Sequence, residues 1–262
     1  MSLYTFFNFI SCVVLLIYNL LHFKEKKQIL SSASKTAIKR FESKSKKNIL
    51  SNLWFYVIGE ILIISMLQYC GTSWLNIILG DIVNTGANYY GLMFFAPPLV
   101  VIFCLLVKID PLSQMDLITP AYPLALIFVK IACYFAGCCR GIPWEHGFFN
   151  PVSRQIEFPI QLLESLVALL IFVILILVKN KLKKGTVFPV YLIVYSSIRF
   201  FTEFLRAEPE VFIGLKAYQI LCIVGIVVGI FEYFAACKYN SWTQGKGKKR
   251  HIEKKWGGDD ID

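Results

Sequence analysis

Seven apolar runs, each of roughly 17 to 25 residues, occupy positions 3–23, 49–70, 89–108, 119–136, 159–178, 186–205 and 213–237 of this 262-residue chain. A run of that length spans the ~30 Å hydrocarbon layer of a bilayer as a helix, and a backbone in hydrocarbon has to satisfy its own hydrogen bonds. The fold class that follows is an all-α integral membrane protein with about seven transmembrane helices. With 56% apolar and only 17% charged residues, the composition falls outside that of an ordinary soluble domain.

Charge position sets the orientation. Nine Lys/Arg fall between Lys24 and Lys47, four between Lys179 and Lys184, and seven between Lys238 and Lys255. With seven spans these segments share one side, as does Lys108, while Arg140, Arg154 and Arg206 lie near loops of the other side. The positive-inside rule then puts the N-terminus outside and the C-terminus in the cytoplasm. It also explains the net charge of +10 without nucleic acid. Residues 1–23 read as a retained anchor, since no basic residue precedes the apolar run and a basic cluster follows it. The segment 24–48 is a basic cytoplasmic loop or an amphipathic helix on the inner leaflet. Residues 1–237 form the membrane domain, and 238–262 read as a basic, disordered tail.

Against this apolar background the charges inside spans stand out. A charged side chain at the centre of a membrane helix costs about 2.5 to 3.5 kcal/mol on insertion scales, and such groups face a bundle interior or a polar cavity. Tyr195, Arg199 and Glu203 recur every four residues in YSSIRFFTEFLR (195–206), with Ile198 and Arg206 near the same stripe. Lys130 sits mid-span in ALIFVKIACYF, Gln161 and Glu164 lie one helical turn apart at the start of the fifth span, and Glu60 interrupts the second. Lys130, Glu164, Arg199 and Glu203 therefore suit a charge-compensated pocket between helices. Structural ion pairs that fix bundle register are the competing reading.

Eight Cys are spread over spans and their ends without a CxxC pair, so small buried hydrophobes are the reading for most, and neither a metal nor a cofactor is expected. Cys138-Cys139, with Cys133 five residues before, sits at an outer turn where packing or oxidation is open. His146 is the only His placed outside. Trp54, Trp74 and Trp144 read as interfacial anchors. Pro97-Pro98, Pro120 and Pro123 are the hints of broken spans that a transporter would need.

Three motifs in order, FAGCCRG (135–141), FPIQLLES (158–165) and YSSIRFFTEFLR (195–206), followed by Tyr218-Gln219-Ile220-Leu221, resemble the prolipoprotein diacylglyceryl transferase family. The resemblance is strongest over 89–237. It implies a multi-pass enzyme of the bacterial cytoplasmic (inner) membrane whose active site faces the outer leaflet. Such an enzyme moves the diacylglyceryl group of phosphatidylglycerol to the cysteine thiol of a prolipoprotein signal sequence, releasing glycerol phosphate. On that reading Arg199 is the first choice for the lipid phosphate, because guanidinium is shaped for bidentate phosphate contacts. Glu203 fixes it, Tyr195 adds a hydrogen bond, Arg206 is a second cation, Gly141 lets backbone approach the lipid, and Gln161 and Glu164 support the wall.

The sequence also departs from the family pattern. Tyr90 stands where the family has a His thought to handle the thiol proton, Lys130 replaces an Arg, Cys133 an Asn, Cys138 an acidic residue and Phe158 another His. Tyr90, Lys130 and Arg199 are the candidate catalytic residues, although a phenol with a reference pKa near ~10 is a poor base at neutral pH. Three readings stay open: the transferase itself; a related lipid-modifying transferase with another acceptor or donor; or an inactive or repurposed homologue that binds lipid or a partner.

Overall fold

The computed structural model describes residues 89–106 and 110–256, and positions 6, 10, 13, 14, 17, 18, 21, 22 and 25 near the start of the chain. The second span expected at 49–70, with Glu60 and Trp54, lies outside the described residues, as does Trp74. All but one of the nine N-terminal positions are helical, and Tyr18 among them is buried, its hydroxyl donating to the Leu117 carbonyl at 2.9 Å.

The order is α1 (Tyr89–Leu106), α2 (Pro111–Ile118), α3 (Ala121–Ala136), β1 (Pro143–Asn150), β2 (Gln155–Glu157), α4 (Ile160–Val178), α5 (Val187–Thr202), a 3-10 turn (Glu203–Leu205), β3 (Glu210–Phe212), β4 (Leu215–Lys216) and α6 (Ala217–Trp256). Among the described residues, four helices are long and apolar enough to cross a membrane: Pro111–Ala136, Ile160–Val178, Val187–Leu205 and Ala217–Trp242. The chain is an integral membrane protein, and mostly helical rather than all-α. Two antiparallel hairpins, β1-β2 and β3-β4, fill the connections after α3 and after the 3-10 turn. The backbone of these short segments pairs across a turn instead of within one helix.

Three boundaries differ from the apolar runs. The path expected to start at 119 starts at Pro111, because Asp110 accepts the Ser113 amide at 2.8 Å as N-cap and Pro111 opens the first turn. Hydropathy hides this start, since Ser113, Gln114 and Asp116 are polar. Yet Gln114 is buried, and Asp116 accepts the Gly185 and Val187 amides at 2.6 and 3.0 Å, covering the free N–H groups that begin α5. The last span begins at Ala217 rather than 213, because Ile213 and Gly214 take left-handed φ of 49° and 71° in the β3-β4 turn. Its helix then runs on to Trp256, through residues read from sequence as a disordered tail. Lys, Arg and Glu are good helix formers, so the loss of apolar residues there does not stop the helix.

Packing pairs α3 with α4 and α5 with α6. In GIVVG (225–229), a Cβ on Gly225 would lie 2.5 Å from Ser196 Oγ, and one on Gly229 2.8 Å from Ile193 Cγ1, so the two glycines let α6 lie close against α5. The core between helices is aromatic: Tyr90, Tyr122, Tyr191 and Tyr195 are buried, and the Tyr89 and Tyr191 hydroxyls meet at 2.5 Å. Tyr195 of this aromatic core also lines the small space at Glu164 and Arg199.

Candidate functional site

α3, α4 and α5 each bring a charged side chain to one point, and the carboxylate of Glu164 is that point. Lys130 Nζ reaches Glu164 Oε2 at 2.8 Å, Arg199 Nη1 donates to Oε1, and Arg206 contacts both oxygens, through Nη2 at 2.8 and 3.1 Å and Nε at 3.1 Å. Arg199 also contacts Glu203 at 2.6 Å, and Arg206 Nε lies 3.7 Å from the same Glu203 oxygen. Glu164, Arg199, Glu203 and Arg206 are all buried. Removing such charges from water costs several kcal/mol each, which only close pairing offsets. Three cations against two carboxylates leave one positive charge in excess.

Local structure sets this convergence. α5 ends at Thr202, and the 3-10 turn delivers Arg206 in an extended conformation (φ −98°, ψ 149°) that turns it back over Glu164. Arg206 is held there by a backbone bridge to Gly141 and by Lys216, whose Nζ donates to the Glu203 and Arg206 carbonyls at 2.9 and 2.6 Å. Gly141 is required at its position, because a Cβ there would overlap the Phe158 carbonyl oxygen. Gln161, one turn before Glu164, donates from Nε2 to the Cys138 carbonyl at 2.7 Å and so ties α4 to the Cys-Cys turn.

The remaining candidates surround this hub. Tyr195, Ile198 and Thr202 line the small space shared by Lys130, Glu164 and Arg199, whose volume of about 10 Å³ has room for roughly one water. The Arg199 guanidinium lies 5.6 Å from the Tyr218 ring centre, a cation–π contact. Gln219, next to it, accepts the Lys216 amide at 2.9 Å. Tyr90 packs its ring against Tyr195, 5.9 Å between centres, and its hydroxyl meets Cys222 Sγ at 3.0 Å and Ser196 Oγ at 3.4 Å. At 1% exposure its phenol is closed off from solvent. His146 is on the exposed face of β1, against the Trp144 ring.

Beside the hub, the turn after α3 gathers Cys133, Cys138 and Cys139, with all three sulfurs within 4.8 Å of one another. Hydrogen bonds with Cys133 and Cys138 draw the Cys139 thiol far below the ordinary thiol range; Lys130 and Arg206 act in the same direction, and burial opposes them. Lys216 was missed in the sequence, whereas the three cysteines were grouped there with packing or oxidation open. Lys216 was absorbed into an apolar run, and the C-x4-C-C spacing matches no common ligand pattern.

Comparison with known proteins points one way. The family model for prolipoprotein diacylglyceryl transferase matches residues 3–235. The phosphatidylglycerol-prolipoprotein diacylglyceryl transferase of Clostridium tetani is 31% identical over 166 residues, covering 60% of this chain and 66% of the relative. A second such protein, from Clostridium perfringens, is 33% identical over 135 residues, 48% of this chain and 53% of its own length. That of Ehrlichia canis is 32% identical over 163 residues, 56% of this chain and 62% of its own. The match thus spans somewhat under two thirds of each of these relatives. On the extent of the family match, together with the ordered motifs that build the Glu164 hub, the chain belongs to the prolipoprotein diacylglyceryl transferase family.

Proposed function

We propose that this protein transfers the diacylglyceryl group of phosphatidylglycerol to the cysteine thiol of a prolipoprotein signal sequence. The observation that carries the reading is the hub itself: Lys130, Arg199 and Arg206 converge on Glu164 with one positive charge in excess, which suits one lipid phosphodiester. The names of the relatives supply the reaction. In the transfer, the acceptor thiol gives up its proton to water, its sulfur bonds to the glyceryl carbon as the carbon–oxygen bond to phosphate breaks, and glycerol phosphate leaves with the electron pair. Arg199 and Arg206 hold the phosphate and stabilise charge that grows on the leaving oxygen. Glu164 and Glu203 orient both guanidinium groups, Lys130 neutralises the acidic end, and Tyr195 lines the approach. Gly141 and Gln161 hold the turn beside the lipid. Because Glu164 already occupies the guanidinium faces, phosphate entry displaces part of that contact. Tyr90 supports Tyr195 and is not the proton acceptor in this reading.

The proposed setting is the bacterial cytoplasmic membrane, with seven spans, the N-terminus outside, the C-terminus inside and the hub toward the outer leaflet. Residues 1–237 are the membrane domain in this scheme. The basic segments 24–48, 179–184 and 238–255 support the orientation.

The test supplies purified protein with phosphatidylglycerol and a peptide carrying a lipoprotein signal cysteine. The mass of a thioether-linked diacylglyceryl group on the peptide is the expected product. The closed-off phenol of Tyr90 favours one second reading, a homologue that binds lipid without transfer. Phosphatidylglycerol binding with unmodified peptide would establish it.

A further inference from the structure

Both carboxylates of the hub contact guanidinium groups. Next to the hub, however, the chain gathers three thiols by a route that a helix would not allow. Five and six residues after Cys133, continued helix would place Cys138 and Cys139 about 140° and 240° round the axis, on other faces. Instead α3 ends at Gly137 with φ of 66°, and Cys139 is itself left-handed at 57°, unusual for a residue with a side chain. These two inversions fold the turn back, so that the three sulfurs lie within 4.8 Å of one another.

The turn is fixed at three of its carbonyls. Asn150 Nδ2 donates to the Gly137 carbonyl at 3.1 Å, Gln161 to that of Cys138 at 2.7 Å, and the Ala207 amide to that of Arg140 at 3.1 Å. Asn150 is held in turn by Glu157, at 3.0 Å. Thiolates 2.3 Å from a tetrahedral ion stand about 3.8 Å apart, so the observed spacing needs a contraction of at most about 1 Å. Cys133 is buried, Cys139 half-buried and Cys138 exposed, which opens one side of the cluster.

We propose that Cys133, Cys138 and Cys139 bind a thiophilic divalent cation of the zinc class, and that its open fourth position receives the thiol of the acceptor cysteine. Three sulfur ligands with a vacant position follow the pattern of catalytic rather than closed structural sites, and thiolates select such soft ions. Coordination deprotonates the acceptor thiol and releases its proton to water. The bound sulfur then forms its bond to the glyceryl carbon, the carbon–oxygen bond breaks, and the electron pair leaves on glycerol phosphate. This is a substitution that requires no oxidant or reductant. The neutral thioether is a weaker ligand than the thiolate and departs.

This inference rests on the transferase reading, and the test separates the two. Full-length protein in detergent, kept reduced and stripped with chelator, is titrated with Co²⁺ as a spectroscopic probe. A sulfur-to-metal charge-transfer band with tetrahedral d–d bands is expected. Cys139→Ser and Cys133→Ser should lose both, and Cys237→Ser, at a distant half-buried thiol, should keep them. Size-exclusion profiles matching the unsubstituted protein show that the serine variants are folded. Wild-type protein with no thiolate band, or with the three thiols paired as disulfide when isolated from membranes, overturns the site. Addition of the acceptor peptide should shift the d–d bands, and its Cys→Ser form should not. Bands unmoved by the thiol peptide overturn the open position. Lipidated peptide formed equally well by protein without bound metal would sink the inference and leave the transferase reading standing. Thiol-dependent band shifts without any product would do the reverse.

Discussion

Glu164 is the residue on which the account turns, since it accepts from three cations supplied by α3, α5 and the turn that follows α5. Removing one partner of a buried ion pair costs about 3–5 kcal/mol, because the other charges remain buried without it. Glu164→Gln should therefore lower thermal stability by about that amount, read by unfolding in detergent. Arg140→Ala, at a half-exposed side chain 3.7 Å from Glu157, should change it by no more than about 1 kcal/mol. Similar losses in both would contradict the hub. Tyr90→Phe removes a hydroxyl that meets Cys222 and Ser196, and should cost about 1 kcal/mol while leaving transfer nearly unchanged. Abolished transfer would return the proton role to the phenol. Much of this residue scale was legible in sequence: charge in an apolar run is costly, and the four-residue spacing of Tyr195, Arg199 and Glu203 placed them on one face. The ranking was not legible. Arg206 reaches both oxygens of Glu164 where Arg199 reaches one, because helix α5 stops at Thr202 and a 3-10 turn redirects the chain, a consequence of bonds to Gly141 and Lys216.

Among the elements, the close contacts are made by glycine. A methyl group at Gly141 meets the backbone of Phe158, which cannot move without shifting the start of α4 and with it Gln161 and Glu164. Gly141→Ala should cost about 1–3 kcal/mol, as overpacking does, and reduce transfer more than its stability loss explains. Full transfer by this variant would show that the turn plays no part in the site. Along α5 and α6, Gly225→Leu should separate the helices and destabilise the protein, measured as a lower unfolding temperature. The helices themselves could be read from hydropathy, whereas the hairpins and the early start of α2 could not. Their segments are short or polar and give no apolar run, and the role of Asp116, which caps α5 from another helix, rests on partners distant in sequence.

For the whole molecule, the basic and apolar segments predict which side each end faces. With native cysteines replaced, Lys181→Cys should be labelled by a membrane-impermeant thiol reagent only after the membrane is opened. Phe149→Cys, on the exposed hairpin strand β1, should be labelled in intact cells. The opposite pattern would invert the orientation and remove the hub from the outer leaflet. The central claim, that the Glu164 hub holds an anionic lipid by its phosphate, is tested most directly by lipid retention in native mass spectrometry. Phosphatidylglycerol should be retained in preference to a zwitterionic lipid, and retention should fall about tenfold or more in both Arg199→Lys and Arg206→Lys, since ammonium lacks the bidentate fork. Undiminished phosphatidylglycerol binding in both folded variants would contradict the claim.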